Sequence, residues 1–207
     1  MRMPTRRSVL TIPLATGALL GFSALRRSAW AQGAAEATAF IQKVGTDLVA
    51  ILNSGAGATE KQKRLQALVD RDVDVDGVAR FCLGRYWRTA TAEQRQQYQQ
   101  LFHEVLMRNI TGKIGDYQGV SFTLGRTVPR EDSFGVSMVV TRPGSAPANV
   151  EWIVSMTSGS PHIVDLVAEG TSLRLTQRSD YSSYLAHNNN SVAALLAAMR
   201  HQLSQPS

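Results

Sequence analysis

Asp72, Asp74, Asp76 and Gly77 fall at the first, third, fifth and sixth positions of a calcium loop, a spacing that offers alternate oxygen ligands and a sharp turn. The twelfth position should supply a bidentate Glu and holds Leu83, and Arg80 stands at the ninth. With that ligand missing, the run reads as a solvated connection whose last Asp, Asp76, caps a short helix. His103, His162, His187 and His201 lie far apart, none at metal-ligand spacing. No metal and no catalytic residue is therefore assigned.

Acid/base chemistry has one set of candidates. Asp165 or Glu169 could act against Tyr86 or Tyr117 if helices enclose a curved antiparallel sheet, as in a cone-fold enzyme of the isomerase type. Two carboxylates near a strand end are too common to carry that reading, and fold alone does not supply it. The nucleophile elbow, the phosphate loop and the dinucleotide fingerprint are all absent from the sequence. Cys82, the only cysteine, sits between Phe81 and Leu83, where a buried, inert thiol is expected and no internal disulfide can form.

The elements that position these residues are legible from periodicity. Phe40, Ile41, Val44, Leu48, Ile51 and Leu52 recur at helical spacing over 34–54, and Asn53-Ser54-Gly55 closes that helix. Thr59 can cap a second helix through Leu68, and a third runs from Asp76 to Cys82. Thr91 and Gln94 form a capping box that opens a long amphipathic helix to about Gly115, with Tyr98, Leu101, Phe102, Val105, Leu106 and Ile110 on one face. After Tyr117 the period becomes two. Val120 to Leu124, Phe134 to Val140 and Val150 to Met156 alternate, and Ile163 to Ala168 is apolar on both faces apart from Asp165. Hairpin-length turns join them, which gives a four-stranded antiparallel meander. Two helical stretches, about Arg178 to Ala186 and Ser191 to Leu203, complete an α+β chain.

The N-terminus reads as an export signal. Thr5-Arg6-Arg7-Ser8-Val9-Leu10 resembles a twin-arginine signal, an apolar run follows to Leu25, and Ala29-Trp30-Ala31 offers a small-residue cleavage site. Residues 1–31 are thus expected to be cleaved and residues 32–207 to form a single domain. An uncut membrane anchor is the rival, but Pro13 and two glycines interrupt a run short for a hydrocarbon core of about 30 Å. Cleavage removes Arg2, Arg6, Arg7, Arg26 and Arg27 and no acid, so the formal charge falls from +6 to +1. The basic character belongs to the signal, and a nucleic-acid partner is not indicated.

Two segments resemble a known family. Leu83-Gly84-Arg85-Tyr86-Trp87-Arg88-Thr89-Ala90-Thr91, continued by Glu93-Gln94-Arg95 and the aromatic-studded helix, is similar to a stretch of the MlaC family of periplasmic phospholipid-binding proteins, also called toluene-tolerance proteins. Asp165-Leu166-Val167-Ala168-Glu169-Gly170-Thr171-Ser172-Leu173 resembles that family's Asp-x-x-x-Glu-Gly-x-Ser segment. The hopanoid-associated HpnM branch shares both patterns. The resemblance implies a nuclear-transport-factor-2-like curved sheet that, with the helices, encloses an apolar pocket. It also implies a monomeric periplasmic shuttle carrying phospholipid, or a hopanoid, between an outer-membrane lipid complex and an inner-membrane ABC transporter of the Mla type. Neither catalysis nor a cofactor is implied, the bound lipid being cargo.

Inward-facing sheet residues Phe122, Val136, Met138, Trp152 and Val154 are candidates to line such a pocket, opposite Phe81, Leu83, Tyr86, Phe102 and Leu106. For each of the ten, ordinary core is an equally good reading of the sequence.

Overall fold

The structure is a computed structural model that describes residues 21–112 and 117–205, with residues 21–29 described by backbone alone. The paired arginines and the first part of the apolar run of the expected signal lie outside the described residues, as does the expected end of the long helix near Gly115.

Among the described residues, seven helices and five strands follow the order read from the sequence, helices first, then sheet, then helices. α1 (Gly21–Asn53) starts well before the expected residue 34 and runs without a break through Ala29-Trp30-Ala31. Its upstream residues include Ala24, Leu25, Arg26, Arg27, Ala29 and Ala31, which carry good intrinsic helix propensity. α2 (Ala58–Asp72) is capped at Gly57, not Thr59, and extends past Leu68, because Val69 and Asp72 are buried as the helix turns on. α3 (Val75–Leu83) takes Asp74, not Asp76, as its N-cap, with the carboxylate accepting from the Gly77 N–H at 2.9 Å. The short α4 (Tyr86–Thr89) leads to α5 (Ala92–Thr111), where the capping box is present in both directions: Gln94 N–H to Thr91 Oγ1 at 3.1 Å, and Thr91 N–H to Gln94 Oε1 at 3.0 Å.

The sheet is an antiparallel meander in chain order: β1 (Ser121–Pro129), β2 (Ser133–Thr141), β3 (Ala148–Ser155), β4 (His162–Ala168) and the two-residue β5 (Thr171–Ser172). The fifth strand exceeds the four expected. It exists because Glu169 and Gly170 both take positive φ, 47° and 80°, the backbone of a two-residue hairpin turn that folds Thr171 back onto Ala168. The register shifts between Leu124 and Thr127 on β1, and again between Ile153 and Val154 on β3. α6 (Leu173–His187) follows at once, and α7 (Val192–Ser204) ends the described chain.

Two apolar clusters hold this together. One is a bundle of α3 to α7 around Cys82, Leu83, Tyr98, Phe102, Leu185, Leu195 and Met199. The other joins α1 and the end of α2 to one face of the sheet, around Ile41, Val44, Leu68, Val136, Met138 and Val154. Between them, Val73 bridges Ile163 in parallel, and the Asp74 N–H donates to the Ile163 carbonyl at 3.0 Å.

Candidate functional site

Strand alternation puts Phe134, Val136, Met138 and Val140 of β2 on one face. Their partners are Val154, Trp152, Val150 and Ala148 of β3, and Leu166 of β4 stands opposite Trp152. The result is a broad apolar surface with a polar tether inside it, the Trp152 indole N–H donating to Met138 Sδ at 3.4 Å.

α1 covers only part of this face. It lies across β1 and β2, with Ala37, Ile41 and Val44 fully buried beneath it, while among the described residues no helix packs broadly on β3. Two glycines let it settle this close: a Cβ on Gly33 would stand 2.7 Å from the Phe134 ring, and one on Gly45 2.7 Å from the Phe122 ring. Among the described residues, a hydrogen bond between α1 and this face joins the Thr38 and Thr127 hydroxyls at 2.6 Å. Toward β3 and β4 the cover ends, and Val150, Trp152, Leu166 and Ala168 are left half-buried.

The ten sequence-derived candidates divide between the two clusters. Phe122, Val136, Met138, Trp152 and Val154 share the sheet face under and beside α1. Phe81, Leu83, Tyr86, Phe102 and Leu106 do not stand opposite them; they belong to the helical bundle, where Phe102 packs on Tyr98 and Tyr181 at ring separations of 5.9 and 6.5 Å. Periodicity marked both sets as inward-facing without saying that the two interiors are separate. Gly33, Gly45 and Leu166 were missed, although glycines inside a helical stripe are a legible sign of close approach.

The second motif forms a polar clamp. Asp165 is 8% exposed. Its Oδ1 accepts from the Leu166 and Arg174 backbone N–H groups at 2.8 and 3.1 Å, and its Oδ2 accepts from the Ser172 hydroxyl at 2.5 Å and faces Arg174 Nε at 3.5 Å. Ser172 is itself the N-cap of α6. The groups put forward for acid/base work are each engaged elsewhere. The Glu169 carboxylate accepts from the Asn149 N–H, the Tyr86 hydroxyl donates to Asn190 Oδ1 at 2.7 Å, and Tyr117 lies under the Arg142 guanidinium.

Arginines crowd the other side of the clamp. Arg174 and Arg178 lie over Phe81, Arg85 over Tyr86, and Arg80 and Arg95 over Trp87, with guanidinium carbons 4.5 to 5.5 Å from the ring centres. The Cys82 thiol beneath donates to the Arg174 carbonyl at 3.5 Å, and burial pushes its pKa up to about 12, opposed in part by Arg174 and Arg178.

Of the clefts on the described surface, two are lined by none of the ten candidates. One, of about 410 Å³, is bordered by Asp70, Asp74, Asp76, His103 and His162, with His103 Nε2 2.6 Å from Asp70. The other, of about 650 Å³, is bordered by Arg130, Glu151, Asp165 and Arg174. Among the described residues no group of three or more His, Cys, Asp or Glu is placed to hold a metal ion.

Such a chain is an α+β protein whose sheet presents a wide apolar face only partly covered by its first helix. The MlaC protein family profile matches residues 42–201, so the chain belongs to the MlaC family. The fold is that of a solved phospholipid-binding protein from Ralstonia solanacearum, determined in complex with a phospholipid. The two share 19% identity at a TM-score of 0.72, over 82% of this chain and 99% of that one.

Proposed function

We propose that the chain is a periplasmic carrier of phospholipid, exported through cleavage of residues 1–31 and acting as a monomer. It moves lipid between an outer-membrane lipid complex and an inner-membrane Mla-type ABC transporter. The observation that carries this reading, beside family membership, is the half-buried strip Val150, Trp152, Leu166 and Ala168 continuing the buried apolar face under α1. A sheet face of that breadth left partly open suits acyl chains.

Two tails hold about 30 methylenes, each worth about 0.8 kcal/mol when removed from water, so unassisted transfer across an aqueous gap is prohibitive. The tails lie along Trp152 and Leu166 and extend under α1, which lifts as they enter; Met138 adapts to chains of differing shape. The head group stays in water and needs few polar partners. Transfer between bilayer and protein costs little net free energy, and direction comes from differential affinity at the two docking partners. The chain needs no cofactor and performs no catalysis.

The test is native mass spectrometry of the protein purified from its own compartment, with Leu166→Glu beside it. Val154, 0% exposed, is less suitable because a charge there would threaten the fold. Two-chain phospholipid on the wild type, lost in a Leu166→Glu variant of unchanged circular dichroism, is expected. A hopanoid in its place would move the reading to that branch, and a chain without lipid would end it.

A further inference from the structure

Arg80, Arg85, Arg88, Arg95, Arg174 and Arg178 gather on α3, α4 and the starts of α5 and α6, in a mature chain whose expected formal charge is only +1. Five of them lie over three rings. Arg80 and Arg95 share Trp87, Arg174 and Arg178 share Phe81, and Arg85 covers Tyr86. Arg178 also closes on the α3 C-cap, where a Cβ at Gly84 would stand 3.3 Å from its guanidinium. Asp165, 3.5 Å from Arg174 Nε, is the only carboxylate within 4 Å of any of the six among the described residues, and its oxygens are already engaged. No acidic residue occurs between Asp76 and Glu93. Elsewhere several cations are paired with carboxylates: Lys43 and Arg71 with Asp47, Arg64 with Glu60, Arg130 with Glu151.

We infer that this arginine surface docks the carrier onto an acidic protein face, the carboxylate-bearing partner at one of the membranes it serves; this rests on the carrier reading above. Two features select protein over bilayer. Five of the six guanidinium groups are held over rings, Arg95 also donating to the Trp87 carbonyl at 2.8 Å, and fixed forks match carboxylates in fixed positions. A fluid head-group layer is better met by mobile lysines, and the six cations here are all arginines; Leu173 and Leu175 are exposed on either side of Arg174. Tyr86 is buried, and Phe81 and Trp87 are half-buried under the arginines.

The experiment measures sedimentation of the mature, lipid-loaded protein with membrane vesicles of its own cell that expose the periplasmic face, the same vesicles shaved with protease, and liposomes of the extracted lipids. The variant is Arg80→Glu with Arg88→Glu, since both side chains are exposed and neither anchors the fold. Lys63→Glu, exposed on α2, is the control of equal charge sign. Expected is binding to the intact vesicles alone, lost at ~1 M salt, where the screening length is about 3 Å. The double variant should bind at least tenfold more weakly and Lys63→Glu near wild type. Equal binding to liposomes would make the bilayer the occupant and overturn the proposal. So would unchanged binding of the double variant, equal loss in the control, or no binding by the wild type. Native mass spectrometry on the same samples keeps the two readings apart: lipid-loaded protein that does not dock sinks only the docking face, and protein without lipid sinks the carrier reading itself.

Discussion

At Asp165 three donors converge on one buried carboxylate, and a fourth, Arg174 Nε, faces it. Asp165→Ala leaves those groups without an acceptor and should lower the unfolding free energy by about 3 to 5 kcal/mol, whereas Asp165→Asn, which keeps one oxygen for the backbone, should cost about 1 to 3. Urea denaturation reads both. Cys82 gives a pH signature. Its thiol ionises near 9.0 when unfolded and near 12 when folded, because burial disfavours the thiolate. Its contribution to stability is therefore fully present below pH 9 and is lost as pH rises toward the folded value, by about 1.4 kcal/mol per pH unit. Denaturation between pH 9 and 10 should show that slope, and Cys82→Ala should flatten it. Above pH 10, Tyr98 and Tyr181, both raised by burial, add their own losses. Burial of the thiol was legible from Phe81 and Leu83 beside it. The role of Asp165 was not, since a carboxylate in a sequence looks the same whether it titrates or clamps a turn.

Helices and strands were read most surely where a local rule had one answer. The α5 capping box and the meander turns are of that kind. The end of α2 was misjudged because Asp70 to Asp76 looks like a solvated connection. In the structure Asp72 is buried and held by its neighbour Arg71 at 2.9 and 2.6 Å, and Arg71 reaches Asp47 on α1 as well, which lets the helix continue. The second misjudged element is α1, read as one amphipathic helix among others when, among the described residues, it is the main cover on the sheet's apolar face, with the end of α2 beside it. On the carrier reading it parts from β1 when lipid enters. Thr38→Cys with Thr127→Cys replaces two touching hydroxyls by thiols that can cross-link. Oxidised, this variant should exchange lipid with vesicles at least tenfold more slowly; reduction should restore the wild-type rate, because the native Cys82 is buried and inert. Unchanged exchange in the oxidised form would show that the tails do not pass between α1 and β1.

For the whole molecule, separation into a helical bundle and a sheet lobe explains why only half of the candidate list shares one surface. Hydrophobic periodicity reports that a side chain turns inward but not which interior it joins, and that is decided by packing between distant segments such as α1 and β2. The separation also predicts unequal protection. On removal of lipid, amide hydrogen exchange should rise in β3 and β4, beside Trp152 and Leu166, and stay nearly constant in the bundle around Tyr98 and Leu195. A uniform rise would mean that the two clusters open together. A half-covered apolar sheet also carries a hazard of self-association, since its free edges could pair with those of a second molecule. Both edges are blunted here. β1 is interrupted by its irregularity at Gly125-Arg126 and ends at Pro129, which offers no N–H, while β5 on the opposite side is two residues long. A chain that has to expose an oily face to do its work is thereby kept from growing into aggregates strand by strand.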